Sequence, residues 1–271
     1  LHEQLPNMLC WVFTLYDSGR LVENILLVNR CAQRKPRVGI SACLCGDRVR
    51  YDGLSKGLPG LITELEHYLE LHKICPEVAI GMGTPRAPIQ LSKNTHKIQA
   101  IGVENPQHNV TNALADYAKT LQGGTHLCGY IFKSRSPSCG AGSTPIHKNG
   151  AVIDVGNGIF SQQIQQQWPW LPIAEEQQLV NTQQQQFFIM LSRLVDQFFN
   201  MITAAQLDNF HRQVAVLRAL LPPATQDKLM QIPSDDKWQN PTHYLSQLIQ
   251  ALQRLPFAVI KELKIPQQQL R

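Results

Sequence analysis

From residue 34 to about residue 160, short apolar runs alternate with longer stretches in which apolar residues recur every three or four positions. RVGISAC (37–43) is a nearly unbroken apolar run, the mark of a strand buried on both faces. LPGLITELEHYLELH (58–72) puts Leu58, Leu61, Ile62, Leu65 and Leu69 on one helical face. KICPEVAIG (73–81) begins as a second strand, VTNALADYAKTLQ (110–122) reads as a helix, and GGTHLCGYIFKS (123–134) as a turn followed by a third strand. This alternation predicts an α/β fold with a mostly parallel sheet and flanking helices.

The period then changes. Residues 162–186 hold eleven glutamines in runs on either side of WPWLP. That composition reads as a linker or frayed helix start, with a boundary near residue 175. FFIMLSRLVDQFFNMI (187–202), LDNFHRQVAVLRALL (207–221, stopped by Pro222 and Pro223) and HYLSQLIQALQRL (243–255) keep the helical period to the end. The expected organisation is an N-terminal extension of unsettled status (1–33), an α/β domain (34–165), a Gln-rich linker (166–180) and a smaller all-α C-terminal domain (181–271). MLCWVFTL (8–15) has no basic stretch before it and no cleavage site after it, so it does not read as a signal peptide. No apolar run approaches the roughly 18 residues of a membrane-spanning helix.

Composition adds little until the cysteines are placed. At 43% hydrophobic residues the chain can bury a core, and a formal charge of +5 is compatible with an anionic partner. The seven cysteines are odd in number and lie in a long chain, which argues against a disulfide scaffold and for reduced thiols in the cytoplasm. Cys43, Cys75 and Cys139 each fall at or just beyond the end of an expected strand. In a parallel sheet those ends share one edge, where open α/β folds bind ligands. Three converging thiolates suit a soft metal or an iron–sulfur cluster. On spacing alone the plainer reading, three ordinary buried thiols, has the better claim. No CxxC pair, P-loop, HExxH or GxSxG is present, and GMGTPR (81–86) misses the dinucleotide fingerprint because Arg86 stands where its last glycine belongs.

Three segments change that balance. ISACLCGDRVRYDG (40–53), CPEVAIGMGTPRAPIQL (75–91) and GYIFKSRSPSCG (129–140) occur in the order, and over the span 36–160, that resembles the thiouracil desulfidase family. The resemblance implies a [4Fe-4S] cluster with Cys43, Cys75 and Cys139 as ligands and one open iron that takes sulfur from a thiolated uracil. It makes Glu77 the carboxylate near the cluster and Ser136 the polar group facing the substrate. Cys45 stands where the family usually shows an apolar residue and is expected to be a small buried side chain; Cys128 is expected in the core. The helical half, with GNGIFSQQ (156–163), LPIAEE (171–176) and the pair Phe210 and His211, resembles a branch acting on 4-thiouridine in tRNA. Residues 171–271 carry nine Lys+Arg against eight Asp+Glu, a near-neutral balance that weakens a phosphate-binding role for that half.

The implied reaction is a hydrolytic, non-redox desulfuration: iron polarises the thiocarbonyl, water attacks with Glu77 as general base, and hydrosulfide leaves. Glu77 next to a negatively charged cluster is expected to hold its proton more tightly; the plainer role is a helix cap or an arginine partner. Arg50, Tyr51, Arg86 and Ser138 are the candidate substrate contacts, Tyr51 by stacking and the arginines by phosphate attraction, with Arg48 and Lys56 in the same basic run. Arg86 serves equally to lock its loop, and His211 fits a satisfied core histidine. Two other classes stay open: desulfuration of free 2-thiouracil or a related small thio-compound, and a non-catalytic cluster-binding module.

Overall fold

The computed structural model describes residues 8–17, 20–29, 35–94, 97–121, 126–201, 203–231 and 240–263. Strands β1 (Met8–Asp17) and β2 (Arg20–Asn29) pair antiparallel as a separate two-stranded sheet and are the described part of the extension read over 1–33. Cys31 lies outside the described residues.

The centre is a parallel four-stranded sheet in the order β10–β7–β3–β4. β3 (Arg37–Ser41) lies between β4 (Glu70–Ile74) and β7 (Gly129–Phe132), and the short β10 (Ile173–Glu175) flanks β7. Val38 and Ile40 of β3 are fully buried, as the unbroken apolar run requires. Of the helix expected over 58–72 only α1 (Pro59–Glu66) forms. Residues 70–74 pair with β3 instead, and because Leu65 and Leu69 are buried in this arrangement too, the helical spacing was misleading. Cys75 then caps α2 (Pro76–Ala79): Pro76 cannot donate to a ladder and is preorganised for the first position of a helix.

A second sheet, which the apolar pattern did not reveal, has the order β6–β5–β8–β9. β5 (Ile89–Lys93) is antiparallel to β6 (Ile98–Gly102) and parallel to β8 (Ala141–Lys148), which turns back into β9 (Ala151–Asn157). In β9 the apolar Val152, Ile153 and Val155 face solvent, so its pattern is not that of a core strand. α3 (Thr111–Thr120) packs against α4 (Ile159–Gln167).

From Thr182 onward the described residues form helices, as expected, but these helices share a core with the sheet. α5 (Thr182–Phe199) is buried along most of its length from Gln186 to Phe198. One cluster joins Val38, Ile40 and Ile131 of the sheet to Phe188, Leu191 and Leu248. Gly129 lets α5 seat on β7, because a Cβ there would lie 2.7 Å from Ser192 Oγ. The helix read over 207–221 breaks at Val214 into α6 (Ala204–Gln213) and α7 (Ala215–Arg218), and Pro223 opens α8 (Pro223–Gln231). α9 (Pro241–Gln253) and α10 (Phe257–Glu262) complete the layer. The segment read as a linker, 166–180, is instead built into the fold: it holds the last residues of α4 and the whole of β10.

At the end of β10, Glu175 and Glu176 are each 7% exposed and grip the two ends of the loop 133–143. Glu176 accepts from Lys133 Nζ at 2.5 Å, Ser134 N at 2.7 Å and Ser134 Oγ at 2.7 Å. Glu175 Oε1 accepts from Ala141 N and Ser143 Oγ, both at 2.6 Å. The start of α4 holds the middle: the Gly158, Ile159 and Ser161 amides donate to the Gly140, Pro137 and Ser138 carbonyls at 2.7, 3.0 and 3.2 Å. Gly158 is required there, since a Cβ would fall 2.6 Å from Ser138 backbone atoms.

Burial alone would raise the Glu176 carboxyl, but the bonds from Lys133 and Ser134 outweigh it and hold the group below its ordinary value of 4.5. Its ionised form therefore stabilises the fold above that value, and the contribution is lost as pH falls through the lower folded pKa. Denaturant titrations across pH 6 to 3 should show this loss in the wild type and a flatter profile in Glu176→Gln. Glu176→Ala, which strands Lys133 without its counter-ion, should cost about 3 kcal/mol at neutral pH by the same measurement.

Candidate active site

The carboxyl edge of the parallel sheet opens into a cavity of about 640 Å³. Cys43 reaches it from the 3-10 turn Ala42–Cys45 that ends β3, Cys75 from the end of β4, and Cys139 from the clamped loop after β7. Parallel pairing of β3 with both β4 and β7 thus brings together residues far apart in sequence. A larger cavity, about 820 Å³, lies between α1 and the start of α5 but is lined by no cysteine, so chemistry rather than volume singles out the site.

All three thiols bind their protons tightly. Burial, with Cys75 close by, pushes Cys43 up to about 11. Burial also raises Cys75 and takes Cys139 well above the usual thiol value, against a bond from the Ser41 side chain. Thiols in such surroundings become thiolates when a cation replaces the protons. Among the described residues no three metal-type side chains gather about a single-ion position. A multi-iron cluster places each thiolate on a different iron, so thiols spread around one cavity with no imidazole among its lining residues fit that group better than a lone ion.

Glu77 lies in the first turn of α2 with both oxygens engaged. Oε2 takes Arg86 Nη2 at 2.6 Å and Nε at 2.8 Å; Oε1 accepts from Ser138 Oγ at 2.8 Å. Arg86 also donates to the Gly83 carbonyl at 2.8 Å, and its side chain is 5% exposed, so it locks the loop and orients Glu77. Ser138 is fully buried and absent from the cavity lining; its contact is with Glu77. Ser136 does line the cavity, and its Oγ accepts from the Cys139 and Ser138 amides at 3.1 and 3.3 Å. With those lone pairs used, its hydroxyl proton is the part left for another acceptor.

Arg50 and Tyr51 also line the cavity. Arg50 is tied to Asp52 through two 3.2 Å bonds and lies 5.3 Å over the Tyr51 ring. Tyr51 is 45% exposed. Lys56 and Arg135 reach the same cavity, are exposed, and have no ion-pair partner among the described residues. Arg48 is exposed and does not line it.

The remaining candidates fall outside. Cys45 packs half-buried against the apolar cluster, away from the cavity, with its thiol raised to about 11 chiefly by burial. Cys128 is in the core, 3.6 Å from Asp196 Oδ1. His211 Nδ1 lies 2.9 Å from the Tyr244 hydroxyl, and burial with Arg218 beside it lowers the ring to about 4, in keeping with a satisfied interior histidine.

Sequence reasoning assigned no role to Lys133, Ser134, Glu175, Glu176 or Arg135. The acidic pair next to a glutamine run read as linker, although two adjacent acids at the end of an apolar LPIA segment were the available signal.

Comparison with known proteins gives one family and one solved structure. A solved [4Fe-4S]-dependent thiouracil desulfidase, TudS, matches with 30% sequence identity over 54% of this chain and 93% of its own, at a TM-score of 0.44. No curated protein matches the chain. The sequence profile of 2-thiouracil desulfurase matches residues 38–176, which holds every cavity-lining residue named above. That span is just over half of the chain, and the chain belongs to the 2-thiouracil desulfurase family of enzymes.

Proposed function

We propose that this enzyme removes sulfur from 4-thiouridine in tRNA, using a [4Fe-4S] cluster held by Cys43, Cys75 and Cys139. The observation that carries the tRNA reading is the charge arrangement of the cavity. The inner cations are already neutralised, Arg86 by Glu77, Lys133 by Glu176 and Arg50 by Asp52, while Lys56 and Arg135 at the same cavity are unpaired. Cations unpaired among the described residues, at the cavity that holds the three cysteines, suit a base that arrives with its phosphates. The near-neutral helical half assigns that role to this rim rather than to the helices.

When bound, the cluster supplies a Lewis-acid iron that polarises the thiocarbonyl. The rest is done by the chain. Arg86 immobilises Glu77 through Oε2, leaving Oε1, which meets only the Ser138 hydroxyl, as the oxygen that takes the proton from water. Ser136 offers its hydroxyl proton to the pyrimidine or to that water. Tyr51 gives the base an aromatic face.

Sulfide release from 4-thiouridine-containing tRNA, run anaerobically beside free 2-thiouracil, decides the substrate. Release from tRNA is expected; release from the free base alone would replace this reading with a nucleobase desulfidase. Lys56→Ala and Arg135→Ala should each lower the salt dependence of tRNA turnover by about one unit of log–log slope. Cys43→Ala, Cys75→Ala and Cys139→Ala should each lose iron and activity, whereas Cys45→Ala keeps both. Iron retained in any of the first three would overturn the ligand assignment.

A further inference from the structure

Tyr130 stands in the middle of β7, opposite Gly39 of β3. Its ring has little freedom. It stacks on Phe132 at 4.0 Å between centroids and meets Phe160 edge-on at 5.8 Å. It also fills the space above Gly39, where a Cβ would lie 2.5 Å from Cδ2. The side chain is fully buried, yet its hydroxyl has no hydrogen-bond partner among the described residues. A buried phenol usually finds one, so an orphan in so rigid a ring points to an acceptor that belongs there.

The surroundings identify that acceptor. Tyr130 and Cys139 belong to one packed cluster, which also includes Ile74, the residue before Cys75. The hydroxyl therefore shares its apolar surroundings with one cysteine of the cavity and with the residue next to a second. Protonated thiols accept weakly, whereas thiolates and sulfides accept well. We propose that the Tyr130 hydroxyl donates a hydrogen bond to a sulfur of the iron–sulfur group when that group is bound. Tyr130 is then a positioning residue: it fixes that sulfur and withdraws electron density from it, the kind of contact that tunes a cluster's stability and potential. The inference rests on the cluster reading and is independent of which thiolated uracil is the substrate.

Tyr130→Phe removes only the oxygen. In iron-free protein the variant should melt at or above the wild-type temperature, because the group it deletes has no partner there. In reconstituted protein it should lose iron to a chelator about tenfold faster, with a shifted visible spectrum. A wild-type rate and spectrum in the variant would overturn the proposal, as would a drop in melting temperature of the iron-free variant, which would mean that the hydroxyl already has a partner. If the wild type itself takes up no iron, the cluster reading fails and this inference with it; iron bound normally by both proteins sinks only the role of Tyr130.

Discussion

The molecule depends on the parallel ladder that places β3 between β4 and β7. Each parallel neighbour needs a crossover, so its carboxyl end returns to the same edge from a distant part of the sequence. Cys43, Cys75 and Cys139 therefore line one cavity although 96 positions separate the first from the last (139 − 43). The ladder fixes only where each strand ends. What lies beyond is set by local devices: a 3-10 turn after β3, a proline-led helix after β4, and a clamped loop after β7.

Electrostatics divides the cavity into an inner and an outer zone. Within it, each of Arg86, Lys133 and Arg50 is matched to a single carboxylate. A buried charge is tolerable only when paired, so the Arg86–Glu77 and Lys133–Glu176 pairs are conditions of folding, whereas Asp52 is exposed. Lys56 and Arg135 are under no such constraint and can answer to whatever enters.

The sequence made the chemistry more legible than the architecture. RVGISAC announced β3, and the three cysteine segments announced the site, because a short buried strand and a ligand-bearing turn leave dense local signals. β5, β6, β8 and β9 were missed: Ile98 of β6 and Val152, Ile153 and Val155 of β9 face solvent, and β5 alternates over only five residues, Ile89 and Leu91 inward. Leu65 and Leu69 look the same to a helix and to a bend leading into a strand. The glutamines of 162–186 were read as loose chain because composition says nothing of the partners a segment will meet. Gln253, which accepts from the Ile173 amide at 2.6 Å, lies eighty positions beyond that residue. Arg86 lay open to two readings in sequence, and its 2.6 Å contact with Glu77 makes it an orienting partner.

α5 has a consequence for how the chain can be divided. A helix buried this deeply needs a matching seat, and the face of β7 that receives it carries a glycine, where an added Cβ would collide with Ser192. Cutting the chain after residue 176 would expose the apolar sheet surface that the helices now cover. Residues of the α/β part and residues of the helical part thus form one interior.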